Sequence, residues 1–305
     1  MTMTMSTTDA KDRNLQRTIR RAVSLAGRGY LSGVAVTIEF RPAPVDSGIT
    51  FVRSDLPGEV AIPATIEHVV PRQRRTAIAR GDAVVEMVEH VMAALAGLGV
   101  DNCTVAIDAP ETPGCDGSSQ AFVEAIRSAG MLVQDAPARI LQCTTAIRLT
   151  EGEMAIAIEP ADASIFEIDY ELNYPNVPAI GRQRRSFTLE PDSFETELAA
   201  ARTFVLEHEA EMLKAAGIGR HCTTRDLLIF GADGPIDNAL RFTDEPVRHK
   251  MLDVLGDLYL AGCRIQGRVT ANRSGHSLNA AMVRRLRESE STMAADERKS
   301  GRMRA

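Results

Sequence analysis

Two short segments of this chain carry residue types that can hold a metal ion and move a proton. In ArgHisLysMetLeuAspValLeuGlyAsp at 248–257, His249 and Asp253 stand four residues apart. On a helix that spacing puts both side chains on one face, roughly 40° apart around the axis. An imidazole nitrogen and a carboxylate oxygen so placed suit one zinc ion; the same spacing also serves a surface hydrogen bond. Gly256 lies on the same stripe and would leave room beside a metal. Glu89 and His90 are adjacent, and neighbours on a helix point about 100° apart, so they cannot share one task. Either one binds metal while the other faces a bound water, or both form the polar edge of a helix. Taken together, two histidines and one aspartate make three ligands with an open fourth position, the make-up of a hydrolytic zinc site. Glu89 is then the candidate general base. No HExxH is present, so the common metalloprotease motif does not account for the pair. A third group is His276 in ArgSerGlyHisSerLeuAsn at 273–279, after a glycine where a strand gives way to a helix. As an imidazolium it can stabilise an oxyanion or protonate a leaving amine; otherwise the segment is a polar turn.

These residues need elements to carry them. Val34, Val36, Ile38 and Phe40 alternate with Ala35, Thr37, Glu39 and Arg41, and Phe166, Ile168, Tyr170 and Leu172 alternate with acidic residues, the period of half-buried strands. Segments 48–53 and 154–159 read as further strands. Val84, Val88, Val91, Met92 and Leu95 predict one face of a helix ending near Gly97–Gly99, and Met251, Leu255 and Leu258 another ending near Gly262. His90 precedes the apolar stretch at Cys103 by thirteen residues, and His249 precedes the one at Cys263 by fourteen. Each stretch leads to a Gly-Ser or Gly-His turn and a last helix. The expectation is an α+β protein of two domains with related topology, 14–137 and 138–288, between ends at 1–13 and 289–305 that read as disordered.

The chain has 305 residues, 44% of them hydrophobic and 25% charged, and a net charge of −6. That balance argues against a nucleic-acid partner, which calls for a basic footprint. Five scattered cysteines without CxxC spacing argue against a disulfide framework and against a cysteine zinc site. No apolar run reaches the ~20 residues of a membrane span, and residues 1–13 lack the apolar core of a signal peptide. A cytoplasmic monomer without a stable membrane anchor is expected.

Five segments, in order and spacing, resemble the LpxC-type family of UDP-3-O-acyl-N-acetylglucosamine deacetylases of lipid A synthesis. They are ValGluHisValMetAlaAlaLeuAlaGlyLeuGlyValAspAsn at 88–102, AspGlySerSer at 116–119, AlaArgThrPhe at 201–204, ValArgHisLysMetLeuAspValLeuGlyAspLeu at 247–258 and SerGlyHisSerLeuAsn at 274–279. The likeness spans roughly residues 14–285. It implies two domains, each a sheet layer with paired helices, with a zinc site at their interface. By the resemblance His90, His249 and Asp253 bind the single Zn2+, Glu89 is the base and His276 its charged partner. It also implies that Thr203 hydrogen-bonds the oxyanion, that Phe204 contacts the sugar and that Lys250 contacts the polar head of the acylated UDP-N-acetylglucosamine substrate. An insert near 170–187, with Val177 and Ile180, is similar to the part that shelters the fatty acyl chain. The reaction implied is hydrolysis of the N-acetyl group with release of acetate, the committed step of lipid A synthesis. Three segments depart from the family pattern: GlyTyrLeuSerGly at 29–33, with Leu31 where a histidine usually stands, ThrPheValLeu at 203–206, and 219–224. They leave open a deacetylase of another N-acylated sugar or sugar nucleotide. A non-catalytic zinc or nucleotide-sugar binding protein is the third reading, and it would need neither Glu89 nor His276.

Overall fold

The computed structural model describes residues 14–162, 165–190 and 192–302; the start at 1–13, expected to be disordered, lies outside them, as do residues 303–305. In chain order the elements begin with β1 Leu15–Ile19, β2 Val23–Arg28, β3 Ala35–Pro42, β4 Ile49–Arg53, β5 Val60–Pro63, β6 Val69–Val70, β7 Ala77–Arg80 and β8 Ala83–Glu86. Then come α1 Glu89–Gly97, β9 Cys103–Ile107, α2 Gln120–Ala129, β10 Met131–Pro137, β11 Ile140–Gln142, β12 Ile147–Glu151, β13 Met154–Glu159, β14 Phe166–Tyr174 and β15 Gly181–Thr188. The chain closes with α3 Ser193–Glu197, β16 Phe204–Leu206, α4 Glu207–Ala215, β17 Leu228–Phe230, α5 Glu245–Leu258, β18 Arg264–Asn272 and α6 His276–Arg302. Several sheets and six α-helices among the described residues make a mixed architecture consistent with α+β. No helix there is long and apolar enough to cross a membrane.

Two sheets share one pattern. The first runs β2-β3-β9-β4-β5 and the second β12-β13-β18-β14-β15. In each, a late strand inserts between two hairpins, antiparallel to one (β3 or β13) and parallel to the other (β4 or β14). The alternation in sequence sets the faces: Val36, Ile38 and Phe40 are buried along β3, and Phe166, Ile168, Tyr170 and Leu172 along β14. Val34, by contrast, lies outside β3 and is 50% exposed.

Helices carry the core between these layers. In α1, Glu89 to Ala96 are all buried, and twelve of the fourteen residues of α5 are buried too. A helix with no solvated face must be surrounded by protein. The two pack directly on one another: a Cβ at Gly256 would lie 2.1 Å from the Glu89 carbonyl oxygen. Gly256 therefore admits the α1 backbone rather than clearing space beside a metal. Val84 does not join α1; it belongs to β8, and Met87, at φ 62, turns the chain before the helix begins. α2 packs on β2, α5 on β14 and β15, and α6 on β12 and β13. α6 continues to Arg302, through residues for which a disordered tail was expected. The ion pairs Arg285–Glu288 and Arg287–Glu290, three residues apart, support the helix as it enters that stretch.

Candidate metal centre and active site

The crossing of α1 and α5 brings the candidate ligands together. His90 comes from the first turn of α1, His249 and Asp253 from successive turns of α5, and all three are buried. One ligand atom from each lies within 4.8 Å of the others. Asp253 Oδ1 is 3.4 Å from His249 Nε2 and 3.8 Å from His90 Nε2. The imidazoles meet edge to face, with centroids 5.1 Å apart.

Protonation fits a cation. Burial, with His249 close by, pushes His90 down to about 3, and burial lowers His249 as well; neutral imidazole is the form that ligates metal. His249 Nδ1 donates to the Ala201 carbonyl at 3.1 Å, which leaves the Nε2 lone pair facing the cluster. Burial opposes charge on Asp253, but the Lys250 ammonium and the surrounding histidines outweigh it and hold the carboxyl well below its usual range. Lys250 Nζ donates to Asp253 Oδ2 at 2.7 Å. Asp253 Oδ1 is buried and accepts no hydrogen bond. An ionised oxygen without a donor, 3.4 and 3.8 Å from two imidazole nitrogens, is the donor set a divalent metal takes.

Beside the cluster lies a second arrangement. The Thr76 amide donates to Glu89 Oε2 at 3.0 Å, and Glu89 Oε1 is 3.9 Å from His276 Nε2. Burial raises Glu89 to about 7 although the His276 charge pulls it down. Burial also works against the charge on His276, yet Asp257, Glu89 and Asp253 raise it to about 9. Asp257, which the sequence reading did not single out, anchors this partner. Its Oδ2 lies 2.9 Å from His276 Nδ1 and accepts from Asn279 Nδ2 at 2.8 Å, while Thr76 Oγ1 donates to Oδ1 at 2.5 Å. The available signal was its place four residues after Asp253, on the same helical stripe.

A cavity of about 1460 Å³ opens over these groups. Thr203 lines it, and its hydroxyl makes no hydrogen bond among the described residues; its amide donates to the Gly117 carbonyl at 2.7 Å. Phe204 lines it too, packed edge to face on Tyr174 and Phe230. Lys250 borders the cavity while paired to Asp253. The 170–187 segment is the β14–β15 hairpin, continuous with the second sheet: Val177 lines the cavity, whereas Ile180 is buried in the core and does not. Much of the apolar wall comes instead from β16, α4 and β17, with Leu206, Leu213, Ile229 and Phe230. The segment AspGlySerSer, which carries no candidate chemistry, ties α2 to α1 as Ser119 Oγ donates to the His90 carbonyl at 2.8 Å.

The sequence matches the family model described as LpxC, UDP-3-O-acyl N-acetylglycosamine deacetylase, over residues 16–288. The chain belongs to the LpxC family. Relatives named UDP-3-O-acyl-N-acetylglucosamine deacetylase include one from Chlamydia abortus, 41% identical over 275 residues, or 90% of this chain and 97% of that one. Another, from Anaeromyxobacter sp., is 40% identical over 272 residues, covering 89% of this chain and 88% of the relative. One from Brucella ovis is 38% identical over 277 residues, 90% and 96%. Within this LpxC chain the three departing segments converge on one place: Leu31, Val205, Leu206, Gly219 and Cys222 all line the cavity that also opens over His90, His249 and Asp253.

Proposed function

We propose that this chain hydrolyses the N-acetyl group of a UDP-3-O-(3-hydroxyacyl)-N-acetylglucosamine, releasing acetate and leaving a free amine on the glucosamine. As a member of the family it is a deacetylase, and the family places that reaction in lipid A synthesis. One observation carries the mechanism: the buried donors of His90, His249 and Asp253 sit beside a Glu89 that faces His276. Those three side chains would hold zinc, which would supply Lewis-acid polarisation and lower the pKa of water. Glu89, poised near neutrality and fixed by the Thr76 amide, takes the proton of the attacking water. His276, kept charged by Asp257, stabilises the developing oxyanion and delivers a proton to the leaving amine. The Thr203 hydroxyl donates to the same oxyanion, and Phe204 packs against the sugar. Lys250, which neutralises Asp253 Oδ2, presents the remaining face of its ammonium to the polar head of the substrate.

The same reading divides the chain into domains 14–137 and 138–288, each built on one of the two like sheets, with the zinc site where α1 of one meets α5 of the other. The acyl chain runs past Val177 on the β14–β15 hairpin and along the β16–α4–β17 wall. The enzyme works as a cytoplasmic monomer without nucleic acid. The cavity-lining departures, Leu31 foremost, favour one variant of this reading: a deacetylase whose preferred N-acylated sugar or sugar nucleotide differs from the family's.

The test is acetate release from UDP-3-O-(3-hydroxyacyl)-N-acetylglucosamine by zinc-loaded protein, wild type beside Glu89→Ala. Turnover that falls by about a hundredfold or more in the variant is expected. Absence of turnover with one zinc tightly bound would remove this substrate, and turnover of a different N-acyl sugar in its place would establish the variant reading.

A further inference from the structure

Helix α4 is the one α-helix among the described residues that buries none of its own side chains. Its last turn and the following loop read MetLeuLysAlaAlaGlyIleGlyArgHis at 212–221. Met212 is 61% exposed and Ile218 37% exposed, and Ala215, Ala216 and Gly217 between them face solvent as well. Exposed apolar residues gathered on one short segment suit an interaction site better than a hydrophobic residue exposed singly. From Met212 to Arg225 the chain contains Lys214, Arg220 and Arg225 and no carboxylate, between Glu211 and Asp226 at its two ends, within a protein of net charge −6. Arg220 turns back to the Lys214 carbonyl at 3.3 Å, and none of the three cations pairs with a carboxylate among the described residues. The tip therefore joins exposed apolar side chains to unneutralised positive charge, opposite in sign to the molecule as a whole. It also stands at the rim of the cavity: Leu213, Lys214 and Ile218 line the cavity, while Met212 and Arg220 do not.

We propose that the 212–221 tip seats on an anionic lipid surface. Met212 and Ile218 enter the boundary between head groups and acyl chains, and Lys214 and Arg220 meet the anionic head groups. Charge complementarity selects this occupant, because an acidic bilayer surface matches the only sign the tip carries. One helical turn with two or three cations gives weak, reversible, salt-sensitive association rather than anchoring. The use of this docking, an acyl chain passing from lipid to cavity along Leu213 and Ile218 without crossing water, rests on the deacetylase reading. The docking itself rests on the tip.

The experiment is co-sedimentation of the full chain with phosphatidylcholine vesicles, with and without phosphatidylglycerol, at low and high salt. Wild type and the double variant Met212→Asp, Arg220→Glu are compared, both positions being solvent-exposed and outside the cavity lining. Wild type is expected to bind only the anionic vesicles and to leave them at high salt. The double variant should lose about tenfold or more in partitioning, some fivefold of it from the cation alone, with an unchanged melting temperature and unchanged turnover of a short-acyl, water-soluble substrate. Equal binding to neutral vesicles, no binding by wild type, or undiminished binding by the variant would each overturn the proposal. Vesicle binding by a protein that fails to release acetate would leave the docking standing and remove the deacetylase reading. Turnover without vesicle binding would do the reverse.

Discussion

Asp257 shows how one carboxylate sets the charge of a neighbour it never shares with substrate. Burial alone would strip His276 of its proton, but Asp257 at 2.9 Å, with Glu89 and Asp253, holds it at about 9. A folded-state value above the unfolded one near 6.5 means that this pairing stabilises the protein fully below pH ~6.5. The contribution is then lost as pH rises through about 9. In the proposed mechanism the protonated partner disappears over the same limb. Asp257→Asn should therefore move the alkaline limb of the kcat/KM profile from about 9 toward histidine's ordinary range, with the acid limb moving less; an unmoved alkaline limb would show that His276 is not the titrating acid. Lys250 works in the opposite sense on the metal side. By occupying Asp253 Oδ2 it leaves Oδ1 as the unpaired oxygen that points at His90 and His249.

At the scale of elements, the decisive contact is α1 against α5. Gly256 lets the Glu89 carbonyl approach to where a Cβ would stand 2.1 Å away, and a Cβ there would also lie 3.1 Å from the Ala93 nitrogen. Both obstacles are helix backbone, which cannot turn aside as a side chain can. Gly256→Ala should force the helices apart, at a stability cost of about 1–3 kcal/mol read from denaturant unfolding. Zinc affinity should fall with it, because His90 rides on one helix and His249 and Asp253 on the other. Wild-type zinc affinity in that variant would show that the site tolerates separation. Strands β3, β4, β13 and β14 and these two helices were legible from period and stop signals. The β16–α4–β17 wall was not: its strands have three residues each, pair in parallel across more than twenty residues of chain, and leave too short a pattern to read. Val84 was misread for a related reason, since a strand and a helix met end to end with one apolar register running through both.

For the molecule as a whole, the candidate metal cluster joins segments about 160 residues apart in sequence, and all three of its side chains are buried. Binding energy at such a site is folding energy for every element that must be in place. Chelation of zinc should abolish acetate release and lower the melting temperature. At free zinc a thousandfold above its dissociation constant the linked stabilisation is ~4 kcal/mol, recovered when zinc is added back. Calorimetry of the stripped and reloaded protein checks this; identical melting temperatures would mean that the ligands do not report on the fold.

What the residues by themselves determined was the donor chemistry and its local phase. His249 and Asp253 share a helical face because 3.6 residues make a turn, and Glu89 must point away from His90 because adjacent residues cannot point together. Strand faces followed from alternation for the same local reason. Burial, approach and charge were decided only in three dimensions. Whether Glu89 sits near neutrality depends on the water excluded by its burial and on His276 at the start of α6. Whether Asp257 is a surface carboxylate or the anchor of His276 depends on Thr76, before β7, and on His276 and Asn279, in the first turn of α6, brought to it from two other segments. Short-range geometry is written in the spacing of residues along one element; dielectric and pairing are properties of the space between elements, and only packing creates that space.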